Sequence, residues 1–148
     1  MSNLVGLISE SARLHHDLVA VKIQDNTITY QELLDKARQV ATALKNHGAN
    51  KEAVGIVGQR HMDSYVGVLG VMLADCYYVP INPKLSKDKI VSIINDSNIK
   101  LLVGDVDNFS RIEKYLTNVD YNKIIPSELP KSIIVNDHLF KNTRADEL

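Results

Sequence analysis

Residues 53–79 decide the fold, and they read AVGIVGQRHMDSYVGVLGVMLADCYYV. The stretch opens at 53–57 with a continuous apolar run, which is typical of a strand covered on both faces. Residues 62–74 are apolar nearly all round and predict a helix that is buried between layers. Residues 77–79 then predict a second buried strand, which Pro80 and Pro83 end because proline lacks the N–H group needed for pairing.

The same alternation continues toward the C-terminus. Ser86 can cap a helix that carries apolar residues at 90, 91, 93 and 94, and Asn98 can close this helix before Leu101-Leu102-Val103 forms a third strand. Strands and helices that alternate in this way favour right-handed crossovers and a parallel sheet. The sequence therefore predicts an α/β fold, with a mostly parallel sheet and helices on both faces.

Residues 105–148 form a less regular region. They predict a short helix near 109–116, an apolar pair at Ile124-Ile125 and a strand at 133–135, followed by a polar tail from 136 to 148.

The N-terminal part predicts a helix, a hairpin and a second helix. Residues 3–16 have apolar side chains at helical spacing, and residues 21–29 alternate about a turn at Asp25-Asn26, as in a β-hairpin. Thr29 and Glu32 form a capping box at the start of the next helix. That helix has one apolar stripe (Leu33, Leu34, Ala37, Val40, Ala41 and Leu44), and Gly48 supplies the left-handed residue that ends it.

Composition and charge limit the classes of function. The 148 residues are 45% hydrophobic, enough for the core of one domain spanning 1–148. The formal net charge of -1 gives no support for binding to nucleic acid or to an anionic membrane. Cys76 is the only cysteine, which fits a reducing compartment, and residues 1–7 lack the features of a secretion signal. We therefore expect a cytoplasmic protein.

The search for catalytic, cofactor-binding or metal-binding residues returns none. Gly55-Ile56-Val57-Gly58 is the nearest approach to a phosphate loop, but its spacing favours small residues at a strand exit. The histidine pairs His15-His16 and Asp137-His138 lack the spacing that puts two ligands on one metal. Asp105 and Asp107 begin like a calcium loop but lack its glycine and closing glutamate, so we interpret them as turn carboxylates.

Three further alternatives are weaker. Asp105 could act as the phosphate acceptor of a response regulator, but no acidic cluster accompanies it. Cys76 lies between apolar elements and is interpreted as a core residue rather than a nucleophile. Asn108-Phe109-Ser110 matches a glycosylation sequon, which has no role without a secretion signal.

Two segments carry a resemblance to a known family. Ile28-Thr29-Tyr30-Gln31-Glu32-Leu33 resembles the Leu-Thr-Tyr-x-Glu-Leu element of adenylate-forming enzymes, the superfamily of acyl-CoA synthetases and amino-acid adenylation domains. Residues 72–83 resemble that superfamily's Leu-Lys-Ala-Gly-x-x-Tyr-Val-Pro-Leu-Asp-Pro, except that Asp75 replaces a glycine. Residues 59–63 and 95–102 resemble two further passages in the same order. An aspartate can replace glycine at a positive φ, at a cost.

The resemblance implies the N-terminal subdomain of the adenylate-forming fold. The complete enzyme would use ATP and Mg to convert a carboxylate into an acyl-adenylate, and would then pass the acyl group to a carrier protein or to CoA. Residues 78–81 lean toward amino-acid adenylation, whereas Asn82-Pro83 is more usual in acyl-CoA ligases. Residues 144–148 resemble the approach to the family's phosphate loop, so we expect the chain to be inactive alone.

A second hypothesis belongs to another class of function. The chain could be a stand-alone binding or docking module, or a split half that another chain complements. If the remainder of an adenylation domain normally covers part of its surface, apolar side chains should be exposed and the chain should self-associate.

Overall fold

The computed structural model describes residues 2–15, 17–23 and 25–130. The predicted strand at 133–135, the tail 136–148, His16 and the pair Asp137-His138 lie outside these residues. The helices are α1 (Ser2–Leu14), α2 (Tyr30–Asn46), α3 (Met62–Leu73), α4 (Lys87–Asp96) and α5 (Val106–Ile112). The strands are β1 (Val19–Ile23), β2 (Asn26–Thr29), β3 (Ala53–Val57), β4 (Tyr77–Ile81), β5 (Leu101–Gly104) and β6 (Asn122–Ile124). Short 3-10 helices occupy Glu113–Tyr115 and Pro126–Glu128.

The N-terminal elements form as predicted. Strands β1 and β2 pair antiparallel, with a shift in register between Val19 and Val21. At the start of α2 the Thr29 hydroxyl accepts a hydrogen bond from the Glu32 N–H group at 3.2 Å, and the Glu32 carboxylate accepts one from the Thr29 N–H group at 3.2 Å. This reciprocal pair satisfies two backbone donors that the helix leaves free. Gly48, with φ of 82°, ends the helix as expected.

Four strands form one parallel sheet in the order β4-β3-β5-β6. The side chains of β3 alternate between its faces, as the pleat of a strand requires. Val54 and Ile56 pack into a core with α2 and α3, whereas Ala53 and Val57 pack into a second core with α4 and α5. The predicted α/β architecture, with helices on both faces of a parallel sheet, is confirmed.

Helix α3 lies between the sheet and α2, which explains its almost wholly apolar sequence. The closest approach of the two helices is at Gly70, where a Cβ atom would lie 2.5 Å from Val40 Cγ1 and 3.0 Å from the Ala37 carbonyl oxygen. Only glycine therefore fits without a shift of α2.

The prediction that β4 is buried is wrong. Tyr77 and Tyr78 are 54% and 38% exposed, and the strand continues through Pro80 to Ile81. The reason is its place in the sheet, because β4 is bonded only to β3 among the described strands. Proline is tolerated in a strand of this kind, since its missing N–H group can face away from the ladder.

Local stop and start signals were otherwise predicted closely. Ser86 caps α4 by accepting from the Lys89 N–H group at 3.3 Å, and Asn98 follows the helix with φ of 52°. Asp75 adopts a positive φ of 59°, the conformation expected here if the glycine of the resembling motif serves a positive φ. The helix predicted to start near Phe109 starts at Val106 because Asp105 caps it.

Within the described residues, no helix has the length and apolar character needed to cross a bilayer.

Candidate functional site

The carboxyl ends of the four parallel strands meet at one edge of the sheet. The connections that follow β3, β4, β5 and β6 begin there, with Gly58, Asn82, Asp105 and Ile125 respectively. Gly58 N–H donates to the Ile81 carbonyl oxygen at 3.1 Å and so joins the first two connections. Ligands of open parallel sheets bind outside this edge, which makes it the first place to look for a site.

The connection after β3 has an unusual backbone. Gly58 and Arg60 both adopt positive φ, at 97° and 57°. A side chain at Gly58 would also overlap the Asn108 carboxamide, so this position needs glycine for two reasons. Arg60 has no such freedom and is held in a conformation that costs an L-residue on the order of 1–2 kcal/mol. The strain fixes the direction in which the chain leaves β3.

Two buried carboxylates lie behind this connection. Asp105 caps α5 by accepting from the Asn108 backbone N–H at 3.1 Å and from Asn108 Nδ2 at 2.7 Å. Asp63, in the first turn of α3, accepts from the Ser127 hydroxyl at 2.8 Å. Burial raises the pKa of the Asp63 carboxyl, and the hydrogen bond from Ser127 opposes that rise. Both carboxylates therefore stabilise connections at the carboxyl edge.

His61 lies between these carboxylates but is not placed to act as a general base. Its Nδ1 accepts from the Asp63 N–H group at 3.0 Å and caps α3. In the neutral imidazole the proton is therefore on Nε2, which lies 4.0 Å from Asp105 Oδ2. Both ring nitrogens face partners within the protein. The arrangement organises the backbone of the edge rather than offering a free base to a substrate.

A polar cleft of about 420 Å³ opens at the same edge. Its lining residues follow three different strands: Gln59, Arg60, Asn82, Pro83, Lys84, Asn108 and Arg111. Among these described lining residues, three carry positive charge and none carries negative charge. A cleft of this composition can receive an anion through charge and amide hydrogen bonds.

A second depression of about 310 Å³, the apolar groove, lies between α3 and β4. Its apolar walls are Ile56, Tyr65, Val68, Tyr78 and Pro80. Ser64 also lines it, and the Ser64 hydroxyl oxygen is buried without a hydrogen-bond partner in the described structure. Tyr78 of β4, which is 38% exposed, forms part of the rim of this groove.

The residues considered from sequence lie in different places. Gly55 belongs to β3 and Gly58 follows its end, in agreement with the interpretation of this segment as small residues at a strand exit. His15 is exposed and lies far from this edge in sequence. Cys76 is buried, with its Sγ 3.6 Å from the Ala74 carbonyl oxygen, and is a core residue as expected. Asp107 lies exposed in the first turn of α5.

None of the cleft residues is predicted as a site residue from the sequence, in which Asn108 features only as part of a sequon. The residues of the polar cleft were missed because they are separated along the chain and meet only at the sheet edge. Most of the cleft residues could have been predicted by noting which polar residues follow each predicted strand, since the carboxyl ends of parallel strands meet at one edge. In the part of the chain that the structure describes, no group of three or more His, Cys, Asp or Glu residues could hold a metal ion.

Comparison with known proteins gives consistent matches. A family model described as AMP-binding enzyme matches residues 8–144. Bacitracin synthase 2 of Bacillus licheniformis is 37% identical over 98 residues, which are 66% of this chain and 4% of that protein. Gramicidin S synthase 2 of Aneurinibacillus migulanus is 33% identical over 104 residues, covering 70% of this chain and 2% of that protein. The chain thus spans a few hundredths of the length of these relatives.

The fold comparison agrees. The crystal structure of a fatty acid AMP ligase from Legionella pneumophila superposes with a TM-score of 0.73 at 23% identity. The match covers 88% of this chain and 24% of that one. At this identity the likeness is one of fold.

Proposed function

The chain belongs to the AMP-binding enzyme family, and on that premise we propose that it forms the N-terminal part of an amino-acid adenylation domain. The complete domain would join a carboxylate to the α-phosphate of ATP, with release of pyrophosphate. It would then transfer the acyl group to a thiol, with release of AMP. ATP and Mg would be needed for the first step, and a carrier protein or CoA would supply the thiol.

The observation that carries the proposal is the family match, which extends over residues 8–144 and so includes every sheet strand described above. Two relatives at 30% identity or more are named as synthases of bacitracin and gramicidin S, which supports the amino-acid branch over the acyl-CoA branch. The motifs of residues 28–33 and 72–83 both lie within the match to the family model.

We propose a supporting rather than a catalytic role for the described residues. The polar residues behind the carboxyl edge contact one another or their own backbone. His61 accepts a hydrogen bond from the Asp63 N–H group and faces Asp105, and Asp63 accepts one from Ser127. They hold the connections in place and leave no free nucleophile–base pair among them. We also expect that the chain alone lacks adenylation activity.

The first test is ATP–pyrophosphate exchange by the purified chain with pooled amino acids and with pooled fatty acids. No exchange is expected from the chain alone. A chimera tests the positive part: the 98 residues of this chain that match bacitracin synthase 2 replace their counterparts in that synthase, and the unaltered synthase is the control. Exchange by the chimera would support structural equivalence. A folded chimera without exchange, or robust exchange by the chain alone, would contradict the proposal.

The exposed side of β4 favours a second candidate, a split half that another polypeptide complements. Tyr65 and Tyr78 both line the apolar groove and are 43% and 38% exposed. Clustered aromatic surface of this kind marks interaction sites. The chain should therefore self-associate at high concentration, and light scattering should show a mass that rises with concentration. A constant monomer mass would count against an uncovered interface.

A further inference from the structure

We propose that two copies of this chain associate through the free edge of β4, with Tyr78 of one copy opposite Tyr78 of the other. The two strands run antiparallel about a two-fold axis, so that the sheets of both copies join into one. The inference rests on the uncovered interface of the second candidate function, to which it gives a partner and a geometry. It does not depend on any role of the chain in adenylation.

The first step concerns the backbone groups at this edge. Tyr77 N–H donates to the Glu52 carbonyl oxygen at 3.1 Å, and Gly58 N–H donates to the Ile81 carbonyl oxygen at 3.1 Å. Because backbone groups alternate in direction along a strand, every second residue from Tyr77 to Ile81 bonds toward β3, and Tyr78 faces away from it. Among the described strands β4 is bonded only to β3. Tyr78 therefore offers both a donor and an acceptor to another strand.

Pro80 limits the register of any pairing at this edge. It is the other residue of β4 whose backbone faces outward, and it has no N–H group to donate. Before the strand, the Cys76 N–H group is already used, since it donates to the Val71 carbonyl oxygen at 3.1 Å. A reciprocal pair of hydrogen bonds between two such edges is therefore possible only from Tyr78 to Tyr78. This is the symmetric contact of a two-fold dimer.

The side chains at this edge can pair in the same register. Tyr78 lies beside Val54 of β3 and so faces α3, where it lines the apolar groove with Tyr65. In the dimer both Tyr78 rings lie on this face, opposite each other, as a cross-strand aromatic pair. On the other face Tyr77, which is 54% exposed, comes opposite Val79 of the other copy. Association thus covers the exposed tyrosines of β4.

Charge at the two ends of β4 favours an antiparallel second copy over a parallel one. Asp75 is exposed in the turn before the strand, whereas Arg60 is exposed and lines the groove near the carboxyl end of the strand. Lys84, in the connection that follows β4, adds positive charge at that end. At the amino end, Lys51 and Glu52 carry opposite charges. A two-fold axis brings the Asp75 end of each copy to the Arg60 end of the other, whereas a parallel copy brings like charges together.

Light scattering over a range of concentrations tests the assembly. The mass of the 148-residue chain should rise from one copy to two and stop there, with a dissociation constant on the order of 100 μM because the interface is small. A constant monomer mass would overturn the proposal together with the uncovered interface. A mass that keeps rising past two copies would overturn the proposal alone, because a two-fold contact closes on itself. The adenylation proposal is tested separately, by exchange in the chimera.

Variants at Tyr78 separate backbone pairing from general attraction between apolar surfaces. Tyr78→Ala removes the ring, and Tyr78→Pro removes both the ring and the outward N–H group. The proline variant should weaken the dimer at least about tenfold more than the alanine variant. The control combines Leu7→Ser and Leu14→Ser, at α1 side chains that are 66% and 54% exposed, and should dimerise like the unaltered chain. Equal weakening by alanine and proline, or loss of the dimer in the control, would overturn the proposal.

Charge reversal tests the antiparallel direction. Asp75→Lys should weaken the dimer by about threefold or more, since it faces Arg60 of the other copy. Arg60→Glu, added to Asp75→Lys in the same chain, should restore most of the loss. A double variant that dimerises more weakly than either single variant would overturn the two-fold arrangement.

Hydrogen exchange on the unaltered chain guards against misfolding of a variant. The Tyr78 amide should exchange more slowly at high protein concentration than at low concentration, because dimerisation gives it an acceptor. The neighbouring Tyr77 amide is bonded to Glu52 within the chain and should not depend on concentration. Exchange at Tyr78 that stays constant while the mass doubles would place the interface elsewhere and overturn the proposal.

Discussion

On one face of the sheet, α3 lies directly on the strands and is itself covered by α2. On the other face α4 and α5 pack on the strands, and within the described residues no further helix covers them. The outward side of α4 is correspondingly polar, with Lys87, Asp88 and Lys89 exposed, whereas α3 is apolar nearly all round. A helix between two layers must be apolar on both sides, while a helix in an outer layer needs one apolar stripe. Substitutions on the two faces should therefore destabilise the protein by different mechanisms, through a cavity on the α4 and α5 face and through crowding on the α3 face.

The largest loss is expected on the α4 and α5 face, from Phe109→Ala. Phe109 is 1% exposed and is the largest fully buried side chain among the described residues. Its removal leaves a cavity in the smaller of the two cores, which has fewer neighbours able to fill it. The free energy of unfolding should fall by about 4 kcal/mol in urea denaturation. Ser110→Ala, at the exposed neighbouring position, is the control and should change stability little. A fall for Phe109→Ala below about 1 kcal/mol would mean that this face repacks.

On the opposite face, where α2 and α3 pack closely, destabilisation is expected from a larger side chain between the two helices. Gly70→Val places side-chain atoms where Val40 and the Ala37 carbonyl oxygen already lie, and should cost about 3 kcal/mol. Ser92→Val, at an exposed position of α4, is the matched control and should cost much less.

A double substitution sharpens this test. Since the nearest atoms to a new Cβ at Gly70 belong to Val40, Val40→Ala should relieve part of the cost of Gly70→Ala. The loss for the pair should be smaller than the sum of the two single losses. Strict additivity would mean that α2 moves away as a body instead of meeting the new side chain.

Helices α2 and α4 lie on opposite faces of the sheet, and both begin with a hydroxyl side chain as N-cap, so their caps can be compared directly. Thr29→Ala removes one bond and weakens its reciprocal partner, and should lower the free energy of unfolding by about 1 kcal/mol. Ser86→Ala removes a single bond of 3.3 Å and should cost less. Urea denaturation of both variants measures the difference. The reverse order would show that the capping box contributes little once α2 is packed on α3.

A smaller effect, of opposite sign, is expected in the turn between α3 and β4. Asp75→Gly removes the strain of a positive φ but gives the unfolded chain more freedom, so the net gain should be about 0.5 kcal/mol. Asp75→Ala keeps the strain and loses the local hydrogen bonding that an aspartate can make. If thermal denaturation shows Asp75→Gly to be less stable than Asp75→Ala, the carboxylate rather than the backbone decides this position.

The smallest expected effect is a dependence on pH from Asp63. Because burial raises the pKa of this carboxyl, the folded protein binds the proton more tightly than the unfolded chain does. The Asp63 contribution to stability is therefore best at low pH and is lost as pH rises from the ordinary aspartate pKa of about 4 through the raised value.

Two variants test this. Asp63→Asn should flatten the dependence of stability on pH in that interval. Ser127→Ala removes a bond that favours the carboxylate and should steepen it. An unchanged slope in both variants would show that Asp63 titrates in the folded protein as it does in the unfolded chain.

The sequence alone determined the features that depend on neighbours along the chain. The capping box of Thr29 and Glu32, the apolar stripe of α2 and the left-handed residue Gly48 could all be predicted, because helix starts, faces and stops are set within a few residues. The positive φ of Asp75 was also predictable, from the family resemblance. The alternation of strands and helices then predicted the parallel sheet. The match to the family model agrees with the family resemblance.

Only the tertiary structure decided what depends on the order of strands. Tyr77-Tyr78-Val79 alone does not distinguish an edge strand from a central one, and Pro80, the local sign of an edge strand, was interpreted as the end of the strand, so β4 was predicted to be buried. The burial of Asp63 and Asp105, and the meeting of Arg60, Lys84 and Arg111 in one cleft, likewise follow from which connections emerge side by side. These residues lie on separate connections, and the pairing of β4, β3 and β5 brings them to one edge.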